Sequence, residues 1–523
     1  MSKLSNLIFS KINKFSLENA LKLSEETLTY KNLNFKSLKF ASLINKLKKK
    51  DNETIAIFGQ RNFSSYIGIL SSLYSGCCYT PLNSKQKKSF IKNVIEDSQV
   101  KIFLTNSENF LTLKDLLLSI NNYSDFSIIL TDEKFFYKNG IKKINHFDDL
   151  TILDKPNLIK DSDLIYILYT SGSTGKPKGV EISHLNLYSW IINMAMEYDI
   201  NKSDNISQNY DLTFDLSVSD TFLAWSNGAT LCILGKDEQM MPSDYIIREK
   251  ISIWGSTPTI ATFLKNVGVL KKNVFPKIRL SFFCGEALTQ DTADSWQEAC
   301  PNSIIENFYG PTEATIWVSK YTYKESDKKR VFLNSIIPIG LPFHDHEFKL
   351  IDSNDKLLFE GNQGEIVYKG PQVSRGYKNN VSQNDKAFTI FDWDKTNSIW
   401  YKSGDLGLIN SDGFFEFIGR KDSQIKLGGR RVEINEIEFN LLKSEYIKNI
   451  IVVPKRDKNY LCKFLIAFTT SKLNKEEIDK IKKIFIEHVD TIFFPKEFNY
   501  IEKFPLNSSG KTNRKLLEEK VNN

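Results

Sequence analysis

The hydrophobic pattern of the chain switches repeatedly between a helical period and short continuous runs. Between Asn34 and Lys48, the residues Phe40, Leu43, Ile44 and Leu47 fall at i, i+3, i+4 and i+7, one face of a helix. Thr54-Ile55-Ala56-Ile57-Phe58-Gly59 then reads as a buried strand ending in a turn. Ile67 to Tyr74 suits a helix closed by Gly76, and strands are expected at Val100–Leu104, Ser127–Leu130, Ile165–Leu168, Ala229–Ile233, Ile251–Trp254 and Arg279–Phe283. Such alternation predicts an α/β fold with substantial parallel sheet.

After about residue 330 the texture changes to strands and turns, clearest at Gly364–Tyr368 and Gly413–Phe417, with Asp412-Gly413 as a turn signal. Beyond Gly419-Arg420-Lys421-Asp422 lies a segment of about 100 residues, enough for a small α+β domain. It carries expected helices at Ile434–Leu442 and Lys475–Val489 and strands at Ile450–Val453 and Phe464–Thr469. Neither an internal repeat nor a long linker is evident.

A chain of 523 residues with 41% hydrophobic content can bury large cores and exceeds one domain. The net charge of +7 is spread over a composition in which acidic residues nearly match basic ones, which argues against nucleic acid as a partner. Six cysteines, Cys77, Cys78, Cys232, Cys284, Cys300 and Cys462, show no C-x-x-C pair and mostly sit in apolar runs. Reduced, buried thiols of a cytosolic protein are expected. Lys3, Lys11 and Lys14 interrupt the apolar N-terminus, so neither a signal peptide nor a membrane span is expected, and cytoplasm is the default location.

Residues 166–180 run from an apolar strand into a loop of glycines, hydroxyls and lysines. Gly172 and Gly175 let backbone N–H groups close on an anion. Thr170, Ser171, Ser173 and Thr174 add hydroxyls, and Lys176 and Lys178 add charge, so the loop suits phosphate. Pro177 after Gly175-Lys176 breaks the Walker order, and a flexible hydrophilic loop is the simpler alternative. Asn307-Phe308-Tyr309-Gly310-Pro311-Thr312-Glu313 is either a turn with an incidental carboxylate or an aromatic shelf beside a metal-binding one. Tyr401-Lys402-Ser403-Gly404-Asp405 is either a polar hairpin loop or an Asp placed to accept from two vicinal hydroxyls. Lys511, after Gly510, is on its own an ordinary solvated tail lysine.

Together, in this order and over essentially the whole chain, these stretches and Gly419–Glu433 (GRKDSQIKLGGRRVE) resemble the adenylate-forming enzymes: acyl-CoA synthetases, luciferases and amino-acid-adenylating domains. The resemblance implies a large N-terminal adenylation domain (1–420) with parallel-rich sheets and a small β-rich subdomain, followed by a mobile lid domain (421–523). It implies a two-step ligase using ATP and Mg²⁺: a carboxylate attacks the α-phosphate to give an acyl-adenylate, then a thiol takes the acyl group. A carboxylate is already nucleophilic at neutral pH, so the five histidines are no obstacle, and the barrier is mainly electrostatic.

By motif, the resemblance gives Glu313 the Mg²⁺ and the Thr170–Lys178 loop the β- and γ-phosphates. Lys511 bridges the α-phosphate and the substrate carboxylate. Asp405 accepts from the ribose hydroxyls, and Phe417-Ile418-Gly419-Arg420 flank the nucleotide. Tyr309 packs on the adenine with Gly285-Glu286-Ala287 opposite. Asp422 matches the family's hinge, and Lys426–Arg430 face the thiol tunnel.

Thr213–Asp220 is similar to the amino-acid-activating branch, where the Asp matching Asp215 pairs with the substrate ammonium. Without that cation a buried Asp215 would stand unpaired at a cost of roughly 3–5 kcal/mol; a helix N-cap is the structural alternative. Phe282–Leu288, with Cys284, and Ser256–Thr259 resemble the D-alanine:carrier-protein ligase family. Phe308, Ile316 and Trp317 fall at positions that line the substrate pocket in relatives. Phe308 and Trp317 depart from that family, and two large rings there leave room for glycine, alanine or serine size, D-alanine being the best single name. Asn513 stands where relatives carry Asp. With the last residue at Asn523, the expected acceptor is a separate phosphopantetheine carrier protein or coenzyme A. A stand-alone non-ribosomal-peptide-type enzyme for another amino acid and an acyl-CoA ligase are the alternatives.

Overall fold

The computed structural model describes residues 1–120, 125–132, 135–138, 141–144, 152–170, 177–239, 241–421, 424–505 and 513–522. Its centre is two sheets built largely of parallel strands. The first orders Lys178–Ser183, Leu164–Thr170, Cys78–Leu82, Thr54–Phe58, Ile102–Thr105, Ser127–Leu130, Phe135–Lys138 and Ile141–Ile144. Its middle pairs are parallel, joined through helices such as Phe63–Ser75. That helix ends where Gly76 takes φ 70°, the left-handed cap conformation that glycine adopts without Cβ strain. Thr54–Phe58 is buried along its whole length, so it reads as an unbroken apolar run.

The second sheet has nine strands, with Ile304–Tyr309, Leu280–Phe283, Ile253–Ser256, Asn205–Gln208 and Thr230–Ile233 side by side in parallel. The N-terminal pair Asn19–Leu23 and Glu26–Thr29 completes its far edge, against Thr230–Ile233. Helix Leu216–Asn227 and the N-terminal helix Lys3–Lys14 pack together between the sheets, inside one continuous core that includes Tyr66, Tyr166, Trp190 and Trp225.

Glu347–Ile351, Gly364–Lys369, Trp400–Ile409 and Phe415–Arg420 form the third sheet, antiparallel and β-rich as the turn signals indicate. Beyond it, hairpin Gln424–Leu427/Arg430–Glu433 and a three-stranded sheet (Ile450–Arg456, Cys462–Thr469, Glu497–Tyr500) carry cores of their own. Alternation along these strands splits the two cores. Val452, Leu465 and Ala467 face the hairpin and helices Ile434–Leu441 and Lys475–Phe485, whereas Val453, Ile466 and Phe468 face Leu517 of the last helix, Arg514–Asn522. We call residues 424–522 the small lobe and the rest the large lobe.

Five cysteines are buried and Cys462 is half-buried, all unbridged. No described helix is long and apolar enough to cross a membrane.

Candidate active site

The site lies at the carboxyl ends of the parallel strands in the nine-stranded sheet, where open α/β sheets place ligands. Strand Leu280–Phe283 delivers Cys284, Gly285, Glu286 and Ala287; strand Ile304–Tyr309 delivers Asn307, Phe308 and Tyr309. These residues, with Gly310, line one cleft, whose lining also includes Phe417 and Lys426 of the small lobe. Asn307 is committed to structure: its amide donates to the carbonyls of Ile337 (3.1 Å) and Pro338 (2.8 Å).

Tyr309 donates its hydroxyl to Asp405 Oδ2 at 2.5 Å, and Arg420 Nη1 donates to Asp405 Oδ1 at 2.7 Å and to the Ser403 carbonyl. Strand Trp400–Ile409 holds Asp405 and its neighbour Phe415–Arg420 holds Arg420, with Asp405 and Arg420 as register partners. Ile418 and Gly419 lie between Phe417 and Arg420 on that strand, and no atom stands within 4 Å of where a Gly419 Cβ would be.

After Tyr309 the backbone does something unusual. Thr315 and Ile316 take φ 58° and 79°, a left-handed conformation that costs a β-branched residue free energy. Gly310 permits it, because a Cβ there would lie 2.4 Å from the Trp317 Cα. Fully buried Gln372 supports it: its side-chain amide N–H groups donate to the carbonyls of Ala314, Thr315 and Trp317, and its backbone carbonyl accepts from the Thr315 hydroxyl. The turn sets Trp317 face to face with Phe308, ring centroids 4.3 Å apart and 12° from parallel. Phe282, Trp190 and Tyr198 close the ring cluster around them, and the Trp317 indole donates to the Met194 sulfur. Ile316 and Trp317 are buried behind Phe308 and are not among the residues lining the cleft.

Asp215 occupies the N-cap position of helix Leu216–Asn227, yet its side chain makes no capping hydrogen bond to the first turn's interior. It is 8% exposed. Burial pushes its carboxyl up to about 6, and the Glu313 charge adds to that; the Thr312 hydroxyl, the Leu216 N–H and the Lys426 ammonium pull the other way. Cys284 sits close enough to feel both Asp215 and Lys426, and burial pushes its thiol up to about 12, so it is a neutral wall and not a nucleophile.

Glu313, 1% exposed, follows Pro311 and Thr312 in a short 3-10 turn. Burial alone would raise its carboxyl; the Arg431 guanidinium, with Nη1 3.4 Å from Oε2, and the Tyr377 hydroxyl, 2.7 Å from Oε1, hold it below the usual glutamate range, with a further contribution from Lys178. Lys178 stands opposite Thr170 at the end of the strand pair Leu164–Thr170/Lys178–Ser183, its ammonium 5.6 Å from the Tyr377 ring centre. Ser171, Gly172, Ser173, Thr174, Gly175, Lys176, Asp422 and Lys511 lie outside the described residues. Among the described residues no cluster of three or more His, Cys, Asp or Glu could hold a metal. A single buried carboxylate that feels the Lys178 charge suits Mg²⁺, which is held by one or two carboxylates together with substrate phosphates and water.

The small lobe reaches into this arrangement through one hairpin. Lys426 lines the cleft, Gly429 donates its N–H to Glu286 Oε1 at 2.5 Å, and Arg431 faces Glu313. Thr259 donates to the other Glu286 oxygen. Sequence reasoning misses Arg431, Gln372 and Tyr377 as site residues; Arg431 lies inside the Gly419–Glu433 stretch, but only folding shows which side chain each of the three meets.

The family model of the AMP-binding enzyme matches residues 10–378. The chain belongs to that family. It is an adenylate-forming enzyme, an AMP-forming ligase, and of the adenylating kind that includes the carrier-protein ligases. Zwittermicin A synthase ZmaJ of Bacillus cereus is 32% identical to this AMP-binding enzyme over 508 residues, 96% of the present chain and 91% of its own. The D-alanine--D-alanyl carrier protein ligase of Listeria monocytogenes is 32% identical over 505 residues, 95% and 94% of the two chains. The crystal structure of the Vibrio cholerae adenylation domain AlmE in complex with glycyl-adenosine-5'-phosphate matches with TM-score 0.85 and 26% identity, covering 100% of this chain and 98% of that one.

Proposed function

We propose that this enzyme activates a small amino acid, D-alanine being the best single candidate, as an aminoacyl-adenylate at the expense of ATP. It then passes the acyl group to the phosphopantetheine thiol of a separate carrier protein. The observation that carries the reading is Asp215: a buried carboxyl without a capping bond, close enough to interact electrostatically with Cys284 and Lys426, both of which line the Tyr309–Phe308 cleft. A substrate ammonium supplies the counter-charge that burial demands, and a fatty acid does not. The ring stack Phe308–Trp317 and the Cys284 wall support a short side chain, as do the names of two relatives, one for D-alanine and one solved with a glycyl adenylate.

In this reading ATP binds with its base against Tyr309 and the 285–287 segment, and its ribose hydroxyls at Asp405, which Tyr309 and Arg420 orient. Thr170, Lys178 and the loop between them hold the phosphates. Glu313 would hold Mg²⁺, which when bound offsets phosphate charge. Lys511, delivered by the small lobe, would neutralise the charge shared by the α-phosphate and the attacking carboxylate. The 421–523 segment would then turn about Asp422, and hairpin 424–433 would face the thiol. The opposed faces of the small-lobe sheet support this: the hairpin packs on one and the helix after the Lys511 loop on the other.

Amino-acid-dependent ATP–pyrophosphate exchange over D- and L-alanine, glycine, serine, leucine and phenylalanine tests the proposal. Exchange with a small amino acid is expected; preference for leucine or phenylalanine, or exchange only with acetate or short fatty acids, refutes it.

A further inference from the structure

Glu313 and Glu286 both belong to the large lobe, and both are engaged by the same small-lobe hairpin. Glu286 accepts the Gly429 N–H at the turn, and Glu313 faces the Arg431 guanidinium on the second strand. The two contacts differ in kind. A backbone amide is a neutral donor, whereas Arg431 supplies a full positive charge to a carboxylate that water scarcely reaches. That same carboxylate, which also feels the Lys178 charge, is the residue suited to hold Mg²⁺. Its Oε1 is already engaged by Tyr377, which leaves Oε2 as the atom facing a cation.

We propose that Arg431 is a positioning residue for the thiol-transfer half of the reaction: its guanidinium and Mg²⁺ are alternative counterions of Glu313, so the hairpin seats only when that carboxylate has released the metal. This rests on the two-step reading given above. Its consequence is order. While metal and pyrophosphate occupy the site, a second cation at Glu313 meets like charge, and the hairpin is held off. Once they leave, the buried carboxylate needs a partner, and Arg431 draws the hairpin, and with it Lys426 and Gly429, over the cleft.

The test uses full-length wild type, Arg431→Gln and Arg431→Lys, with three measurements. One is pyrophosphate exchange; one is single-turnover transfer from preformed adenylate to free phosphopantetheine; one is amide hydrogen exchange of the 424–433 peptide. Arg431→Gln is expected to lower transfer at least about tenfold relative to pyrophosphate exchange, as when one partner of a buried charge pair is truncated. Arg431→Lys should recover part of the transfer. In the wild type, MgCl₂ with methylenediphosphonate should speed amide exchange in the hairpin, the diphosphonate alone should do so less, and Arg431→Gln should exchange fast throughout. Equal losses in both half-reactions, or hairpin amides indifferent to both metal and substitution, overturn the proposal. A wild type with no amino-acid-dependent exchange refutes the function instead and leaves the hydrogen-exchange result readable.

Discussion

Tyr309 and Asp405 are joined by a 2.5 Å hydrogen bond that spans two sheets, from the end of the nine-stranded one to the middle of the antiparallel one. The bond fixes the carboxylate proposed to receive the ribose, and it fixes the ring proposed to carry the base. Tyr309→Phe keeps the ring and removes the donor. It should cost about 1–3 kcal/mol of stability, the worth of a hydrogen bond to a charged group. ATP affinity should fall by about tenfold or less, because Arg420 still holds the other oxygen. Chemical denaturation and ATP titration calorimetry check both; an unchanged ATP affinity would remove Asp405 orientation from the nucleotide site.

Asp215 gives a pH prediction with a definite sign. Its carboxyl is raised to about 6 in the folded chain, from an ordinary value of 3.8. The folded state therefore holds that proton more tightly than the unfolded one, and this contribution to stability is lost as pH rises from about 4 through 6. Asp215→Asn removes the ionisation, so the variant should match the wild type near pH 4 and exceed it by about 2–3 kcal/mol near pH 8, one pKa unit being about 1.4 kcal/mol. The same substitution should abolish amino-acid binding. In the wild type, kcat/KM for the amino acid should climb with pH up to about 6 and then level, because the ammonium pairs only with the ionised form.

The Phe308–Trp317 stack sets the third prediction. Trp317 touches Phe308, Phe282 and Trp190 and is buried behind the cleft, so it acts on the substrate pocket through Phe308. Trp317→Leu should cost about 3 kcal/mol as a partly relaxed cavity and let Phe308 tilt back. The pyrophosphate-exchange panel should then widen toward valine and leucine. A variant that is destabilised but keeps the wild-type ranking would show that Phe308 alone sets the size limit.

How much of this the sequence carries differs by element. Buried parallel strands such as Thr54–Phe58 and Leu280–Phe283 are short, mostly apolar runs and are found within a residue or two of their ends. The N-terminal helix Lys3–Lys14 is harder: Leu4, Ile8 and Ile12 make its buried stripe, but lysines interrupt the run. The strand Asn19–Leu23 is legible only in part: its turn back to Glu26–Thr29 is local, but its other neighbour is Thr230–Ile233, and pairing at that separation leaves no local trace. The site divides in the same way. Motif residues are visible because their chemistry is unusual for their setting. The Thr315–Ile316 turn is not, because two β-branched residues argue for extended backbone; only the close approach to Gly310 and the three carbonyls held by Gln372 make φ above zero tolerable. Asp215 takes the N-cap position that the sequence offered as the structural alternative, but not the capping hydrogen bond that would use its carboxyl.

The hairpin turn offers an internal control. Gly428 and Gly429 both take left-handed backbone, at φ 59° and 76°, so alanine at either costs about 1 kcal/mol or more of local strain in any pose of the lobe. Their surroundings differ. A Cβ on Gly428 would meet Ile492 of the small lobe at 2.6 Å, a contact that travels with the lobe. A Cβ on Gly429 would stand 3.0 Å from Thr257 of the large lobe, a contact across the lobes that the proposed turn would break. Gly428→Ala should therefore destabilise the small lobe and slow both half-reactions together. Gly429→Ala should lower the ratio of thiol transfer to pyrophosphate exchange, by about threefold to tenfold for a further 1 kcal/mol or so of crowding. Pairing Gly429→Ala with Thr257→Ser, which removes the methyl group, should restore that ratio without restoring thermal stability. If the two glycine variants shift both half-reactions alike, the seated hairpin is not the transfer pose.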